Sequence, residues 1–271
     1  MARKILLLGD SGTGKTHSLQ FLDPKTTVII CPENKDLPWR GSEVQYVKAW
    51  RKSRDGKREL PSLKGNFIPV KRVLNYANTW EERWDNPGVL EYIERINIDE
   101  KLKHITTVVV DTFTYAMTDR VVADTFLDDW NKYKLYAKEF YDFAQRLPEL
   151  REDLTVIVSA HTETDRDEKG KKTVRFKVPA GKMTSQVIVP EGLFTIVLFS
   201  DRYRAEGEKT QYFFWTVNDG TNTCKTPEGM YPKDQIPCNM EYVIRCMKAY
   251  YKGEEPPPMP DSKGHYEEVK N

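Results

Sequence analysis

The chain has 271 residues, enough for one large α/β domain, or one domain with insertions, and a full hydrophobic core. It is 39% hydrophobic and 31% charged, the composition of a soluble globular protein, and no apolar run approaches the ~18 residues of a membrane span. A net charge of +1 excludes a binder that is basic throughout, so any nucleic-acid surface is local.

Met1-Ala2-Arg3-Lys4 leads straight into a strand-like run, which leaves no room for a signal peptide and points to the cytoplasm. Lys4 to Leu8 is apolar and closed by Gly9, the pattern of a buried strand. Lys15 to Leu22 reads as a helix stopped by Asp23–Pro24. "TTVIICPE", Thr26 to Glu33, is a second buried strand, and Val44 to Val47 a third. Composition then shifts. Residues 48–72 carry nine basic side chains against Asp55 and Glu59, a net of +7, with Trp50 and Phe67 among them. The segment reads as a surface insertion.

Val89 to Ile98 reads as a helix, and "ITTVVVD", Ile105 to Asp111, as another buried strand. Ala116 to Leu147 is mostly helical in pattern and rich in aromatics. "LTVIVSAH", Leu154 to His161, is a further buried strand, followed by a charged stretch in which "EKGKK" reads as a hairpin turn. Leu193 to Ser200 and Thr210 to Val217 are late strands, and Glu241 to Tyr251 is a closing helix. Residues 1–252 thus form one expected domain, and 253–271 a flexible, Pro-rich, acidic tail. Buried strands alternating with helices predict a mostly parallel sheet covered on both faces, extended by the late strands in antiparallel fashion. The four cysteines, Cys31, Cys224, Cys238 and Cys246, form no CxxC pair and read as free thiols.

"GDSGTGKT" fits G-x-x-x-x-G-K-[ST], and it sits between a strand and a helix, the context that gives the motif meaning. Gly9, Asp10, Ser11, Gly12, Thr13 and Gly14 curl the backbone so that its N–H groups face a phosphate chain. The following helix is expected to add its positive end. Lys15 places a cation between the β- and γ-phosphates, and the Thr16 hydroxyl ligates Mg²⁺. Asp111 ends an apolar strand in "VVVDT" and is the expected second metal anchor; a strand-capping Asp is the other reading. No acid directly follows Asp111, so the base that orients water must come from elsewhere. Glu33, at the end of the second strand, is the candidate, against a surface acid in a turn. His161, at the end of "TVIVSAH", is placed to sense the γ-phosphate, against an ordinary histidine at a strand end.

Together, "GDSGTGKT", the strand ending in Glu33, "VVVDT" and "VIVSAH" resemble the RecA-like P-loop ATPases. More closely they are similar to the compact phage AAA/RecA-type ATPases grouped with the Sak-type recombination proteins. The stretch "WTVNDGTNTCKTPEGMYPKDQIP" adds to the resemblance, which covers residues 1–252. It implies an α/β RecA-like core, ATP hydrolysis with Mg²⁺, and a homo-oligomeric ring or filament. It also implies a role in DNA recombination, repair or replication with single-stranded DNA as effector. Lys225 stands where the family's trans-acting finger is expected, with Lys182 as a second possibility. The Lys-x-Arg form is absent because position 227 is Pro. Family logic puts DNA on the loops after Asp111 and His161. The latter carries Arg166, Lys169, Lys171, Lys172, Arg175, Lys177 and Lys182 against four acids in residues 162–182. The insertion offers Arg51, Lys52, Arg54, Lys57 and Arg58, with Trp50 and Phe67 to stack on bases. Two other readings stand beside this one. One is a P-loop kinase of a small acceptor. The other is a nucleotide-binding assembly or regulatory module that turns over slowly.

Overall fold

Along β1 (Arg3–Leu8), Ile5 and Leu7 face one side and Leu6 and Leu8 the other, and all four are fully buried. A strand apolar on both faces belongs inside a covered sheet, and a computed structural model of the chain places it there. The structure describes residues 1–124, 131–166, 172–179, 188–207 and 209–266. The remaining strands are β2 (Thr27–Ile30), β3 (Trp50–Lys52), β4 (Glu59–Pro61), β5 (Phe67–Ile68), β6 (Thr107–Val110), β7 (Thr155–Ala160), β8 (Thr162–Arg166), β9 (Lys172–Phe176), β10 (Ile196–Tyr203), β11 (Gln211–Trp215) and β12 (Gln235–Pro237).

Eight of them form one sheet in the order β12-β11-β10-β1-β7-β6-β2-β5. Every pairing from β10 to β5 is parallel, and β11 and β12 extend that edge antiparallel. This is the mostly parallel α/β sheet, extended by late antiparallel strands, that the sequence predicts. The helices are α1 (Ser42–Gln45), α2 (Trp80–Asp85), α3 (Val89–Ile98), α4 (Phe113–Ala123), α5 (Asn131–Arg146) and α6 (Met240–Lys252). Helices α3, α4 and α5 cover the face that holds Leu6, Val108 and Val156. There Phe113 lies 4.6 Å from Phe143 and 5.7 Å from Phe140, ring centre to ring centre. The other face, with Leu7, Val109 and Ile157, packs on α6 and on a 3₁₀ helix at His17–Phe21. Helix α6 is capped by Asn239, whose side chain accepts from Tyr242 N, and ends at Gly253. Among the described residues no helix is long and apolar enough to cross a membrane. All four cysteines are buried free thiols.

Several local expectations change. The helix expected over Lys15 to Leu22 is a five-residue 3₁₀ helix, because Asp23–Pro24 leaves it little more than a turn. The second strand stops at Ile30, so Glu33 sits in the turn beyond it. Val44 to Val47 is not a strand; α1 is fixed there by Trp39 Nε1 donating to Gln45 Oε1 and Ser42 Oγ donating to Leu37 O. In the basic segment, β3 and β4 form a separate ribbon, but β5 joins the main sheet beside β2. Phe67 is therefore core, 3% exposed and not available to stack on a base. The hairpin after His161 forms, with Arg166 paired to Lys172; of its expected turn, "EKGKK" at 168–172, residues 168–171 lie outside the described residues and Lys172 opens β9. Residues 261–266, in the stretch expected as a tail, form a turn docked on the 3₁₀ helix and α6.

Candidate functional site

The loop from Gly9 to Thr16 connects β1 to the 3₁₀ helix and curls around Lys15. Gly14 has φ 99°, and a Cβ there would meet Cys238 Sγ and Tyr212 Cδ1 at 3.0 Å, so only glycine fits. Lys15 is 5% exposed, and its Nζ donates to Gly9 O at 2.6 Å and Asp10 O at 2.7 Å. Burial pulls its pKa down from 10.5 to about 8, against the pull of Asp111, Asp10 and Glu33. The loop is braced from outside: Ser200 Oγ donates to Thr13 O at 2.6 Å and Arg202 Nη1 to Gly12 O at 3.3 Å. The helix after the loop has only five residues, so a phosphate seated here would meet the loop's own N–H groups and not a long helix dipole.

Asp111 lies just past β6 and is fully buried. Thr16 Oγ1 donates to its Oδ2 at 2.7 Å, Ser159 Oγ donates to its Oδ1, and Thr112 Oγ1 lies 3.4 Å from the same oxygen. The Asp111–Thr112 peptide bond is cis. Strand β7 separates β6 from β1, and it is β7 that brings in Ser159. A carboxylate and a hydroxyl beside a phosphate loop fit Mg²⁺, a hard cation usually held by one or two carboxylates plus substrate phosphates. No cluster of three or more His, Cys, Asp or Glu side chains suited to a metal occurs among the described residues.

Glu33 is mostly buried. Its Oε2 pairs with Lys35 Nζ at 2.8 Å, and its Oε1 is buried with no hydrogen-bond partner. His161 is half-buried, its backbone N–H donates to Thr114 Oγ1 at 2.9 Å, and its ring lies edge-on to Tyr115 at 5.6 Å. Burial first, and then the Lys15 charge, push its pKa down, which favours a neutral imidazole. Thr162, the next residue, donates through Oγ1 to Asp10 Oδ1 on the phosphate loop. Of these groups, Lys15, Thr16 and His161 line a cleft of about 480 Å³ together with Ser11, Lys35 and Thr112, among others; Asp111 and Glu33 are not part of its lining.

Lys225 is exposed and does not line this cleft; its backbone is bridged to Val197 of β10 through bonds of 2.8 and 3.0 Å. Lys169, Lys171 and Lys182 lie outside the described residues. In the basic segment much of the charge is answered locally. Lys52 pairs with Glu59 at 3.0 Å and Arg58 with Asp85 at 3.1 Å. Arg51 stacks 4.5 Å over the Trp84 ring and donates to Trp84 O. Arg54 and Lys57 are exposed, as is Trp50, which is 51% exposed. On the hairpin, Arg175 pairs with Asp165 and Glu163, while Arg166 and Lys172 are exposed.

Ser159, Thr162, Lys35 and Arg202 join the site without having been singled out from the sequence. Ser159 carried a signal, a lone hydroxyl near the end of the apolar run "TVIVSA". Arg202 carried none, since only the pairing of β10 beside β1 brings it to the loop.

A protein-family profile described as "AAA domain" matches residues 1–228. Among solved structures, the chain is similar to the KaiC-like protein PH0186 from the hyperthermophilic archaeon Pyrococcus horikoshii OT3, at 16% identity and a TM-score of 0.41, covering 79% of this chain and 78% of that one. No curated protein matches at a significant level.

Proposed function

Because the chain belongs to the AAA-domain family of P-loop ATPases, we propose that it hydrolyses Mg-ATP at this cleft and couples turnover to single-stranded DNA. The observation that carries the hydrolytic reading is the meeting of Lys15, Thr16, Asp111 and Glu33 around one phosphate loop. On ATP binding, Lys15 exchanges the Gly9 and Asp10 carbonyls for phosphate oxygens. Thr16 and Asp111 are the residues that would hold Mg²⁺, which would supply charge neutralisation at the β- and γ-phosphates. Glu33 turns its unpartnered oxygen to a water and takes its proton as the water oxygen bonds the γ-phosphorus and the bond to the β-bridging oxygen breaks. His161 lies at the same cleft and responds to the γ-phosphate.

The support for a DNA effector is the route from the loop to the hairpin. Asp10 holds Thr162, the first residue of β8, and β8–β9 carries the exposed Arg166 and Lys172. Residues Arg51, Lys52, Arg54, Lys57 and Arg58 form the second DNA surface in this reading. The wider proposal is a homo-oligomer of the phage Sak type acting in recombination, repair or replication, with Lys225 or Lys182 reaching a neighbouring site. Glu33's ion pair with Lys35 favours one other reading, a module that binds nucleotide tightly and turns over slowly, because a paired carboxylate is a poorer base.

ATP turnover measured with and without single-stranded DNA tests this, together with sizing in ATP and magnesium. DNA-stimulated hydrolysis by an oligomer supports the proposal. Tight ATP binding with negligible hydrolysis, with or without DNA, favours the slow module. Turnover that needs a small acceptor points to a kinase.

A further inference from the structure

A second cavity adjoins the phosphate cleft. That cavity, of about 640 Å³, shares His17 and Tyr212 with the cleft, and its other walls include Gln20, Gln211, Lys263 and His265. Its volume is that of a small-molecule site, ~300–1,000 Å³. Lys15 and His161 line the cleft, with Asp111 and Glu33 within charge reach of both, and mark its γ-phosphate end. The α-phosphate, ribose and base of a bound nucleotide therefore leave at the other end, past Thr16 towards His17. There the rings of His17 and Tyr212 lie 6.0 Å apart, a stacking surface at the mouth of the second cavity. Gln20 hydrogen-bonds His17 at 2.7 Å and, with Lys263 and His265, supplies polar groups for a base edge.

One wall comes from the far end of the chain, and it is held by directed contacts. Asn239 Nδ2 donates to Gly264 O at 2.7 Å in a buried bond. The His265 ring stands edge-on to Phe21 at 5.5 Å, and Arg245 lies 4.9 Å over the Tyr266 ring. Asp261 Oδ1 closes the turn by accepting from Lys263 N at 2.9 Å and His265 N at 2.8 Å. Gly264 has φ 86° and packs so closely that a Cβ would meet Phe21 Cζ at 2.7 Å.

We infer that the docked turn at 261–266 is one wall of a nucleobase subsite, so that seating of the C-terminal segment and binding of the base reinforce each other. The inference rests on the reading of the phosphate loop as an ATP site. By linkage the coupling is reciprocal: the seated turn tightens ATP, and ATP holds the turn in place.

The test compares two ligands with the same phosphate chain, ATP and inorganic tripolyphosphate, each titrated with Mg²⁺. Three full-length proteins are used: the intact chain, Gly264→Val, which unseats the turn, and the double variant Lys263→Ala/His265→Ala, which strips its wall and leaves the backbone packing. Thermal unfolding checks that each variant folds, and the double variant carries the test if Gly264→Val does not. The expected result is ATP binding weakened on the order of tenfold, with tripolyphosphate binding unchanged. Limited proteolysis should show ATP, but not tripolyphosphate, protecting the C-terminal segment. Unchanged ATP affinity in the folded variants would overturn the inference, as would equal weakening of both ligands. An intact chain that binds tripolyphosphate as tightly as ATP removes the base subsite alone. An intact chain that binds neither overturns the phosphate-loop reading and this inference with it.

Discussion

The Thr16 hydroxyl donates to Asp111 Oδ2 across 2.7 Å, tying the phosphate loop to a strand that is not its neighbour in the sheet. The two residues are 95 positions apart, and only the intervening β7 fixes the distance between their strands. If this pair anchors Mg²⁺, Asp111→Asn should lower Mg-dependent ATP hydrolysis by about a hundredfold or more, the loss of several kcal/mol of charge stabilisation. ATP binding measured in EDTA should change little, because the loop itself is intact. Normal turnover in this variant would remove Asp111 from the site.

Ser159 acts through Asp111. Its hydroxyl is the closest donor to Oδ1, and the Thr112 hydroxyl is 3.4 Å away. Ser159→Ala leaves a buried carboxylate oxygen without its main donor. Mg²⁺ affinity in the presence of ATP is expected to fall ~10–100-fold, as when outer partners of metal ligands are removed. Stability should fall by about 1–3 kcal/mol. Magnesium titrations of turnover separate the two effects, since a purely structural role would leave the magnesium midpoint in place.

The Lys15 pKa sets a pH dependence with a definite sign. Burial lowers it from 10.5 to about 8. Between those values the unfolded chain binds more protons than the folded one, so the destabilisation caused by the buried charge is full below pH 8 and is relieved as pH rises towards 10.5. ATP runs the other way. Phosphate charges beside the ammonium raise its pKa again, so ATP affinity should be highest below pH 8 and weaken above it. Calorimetric titrations across that range should show the fall in the native chain. In Lys15→Met binding should be weak and the fall absent; a Lys15→Met protein with native affinity and slope would assign both to another group.

Glu33→Gln probes the base. The variant keeps the side-chain shape and the contact with Lys35 but cannot take a proton. ATP affinity should hold while turnover drops ~10²–10⁴-fold, the span of general-base catalysis. Single-turnover hydrolysis at saturating ATP is the measurement. An unaltered rate would move the base elsewhere and strengthen the slow-module reading only if the native rate is itself negligible.

What the sequence made legible follows from which interactions are local. Residues Lys4 to Leu8, Ile105 to Asp111 and Leu154 to His161 announce themselves as strands because buried parallel strands are continuous apolar runs. The phosphate loop is legible because its conformation demands glycine at set positions. The order of the strands is not written locally, so neither Ser159 beside Asp111 nor Arg202 beside Gly12 could be read from spacing. Val44 and Val47 look like strand residues, but they are 84% and 50% exposed, because the hydrogen bonds of Trp39 and Ser42 wind that stretch into a turn. Phe67 looked like part of a basic surface because its neighbours are charged, yet its partner is Ile29 in the sheet. At 261–266, the prolines just before the segment and the charge around it argue for disorder in the sequence, while the Asp261 turn and one glycine against Phe21 dock the segment.

Glu91 offers a test of the fold away from the cleft. It is fully buried on α3, yet it ties three pieces of chain together. Its carboxylate accepts from Arg83 at 2.9 and 3.2 Å, from Gly88 N at 2.8 Å and from Asn75 N at 3.1 Å. Glu94 also pairs with Arg83, so the guanidinium keeps one partner when Glu91 is removed, whereas the two backbone N–H groups keep none. Glu91→Ala therefore strands the buried Gly88 N–H and the part-buried Asn75 N–H and half-breaks a partly buried ion pair, and it should lower stability by about 2–4 kcal/mol. Glu91→Gln restores an acceptor without the charge and should cost less. Urea unfolding reads both variants as a shift in midpoint at constant slope. Because α3 packs on the sheet face opposite the 3₁₀ helix that follows the phosphate loop, ATP affinity in the folded variants should stay native. A loss of ATP binding at full stability would mean that the loop joining α2 to α3 reaches the nucleotide.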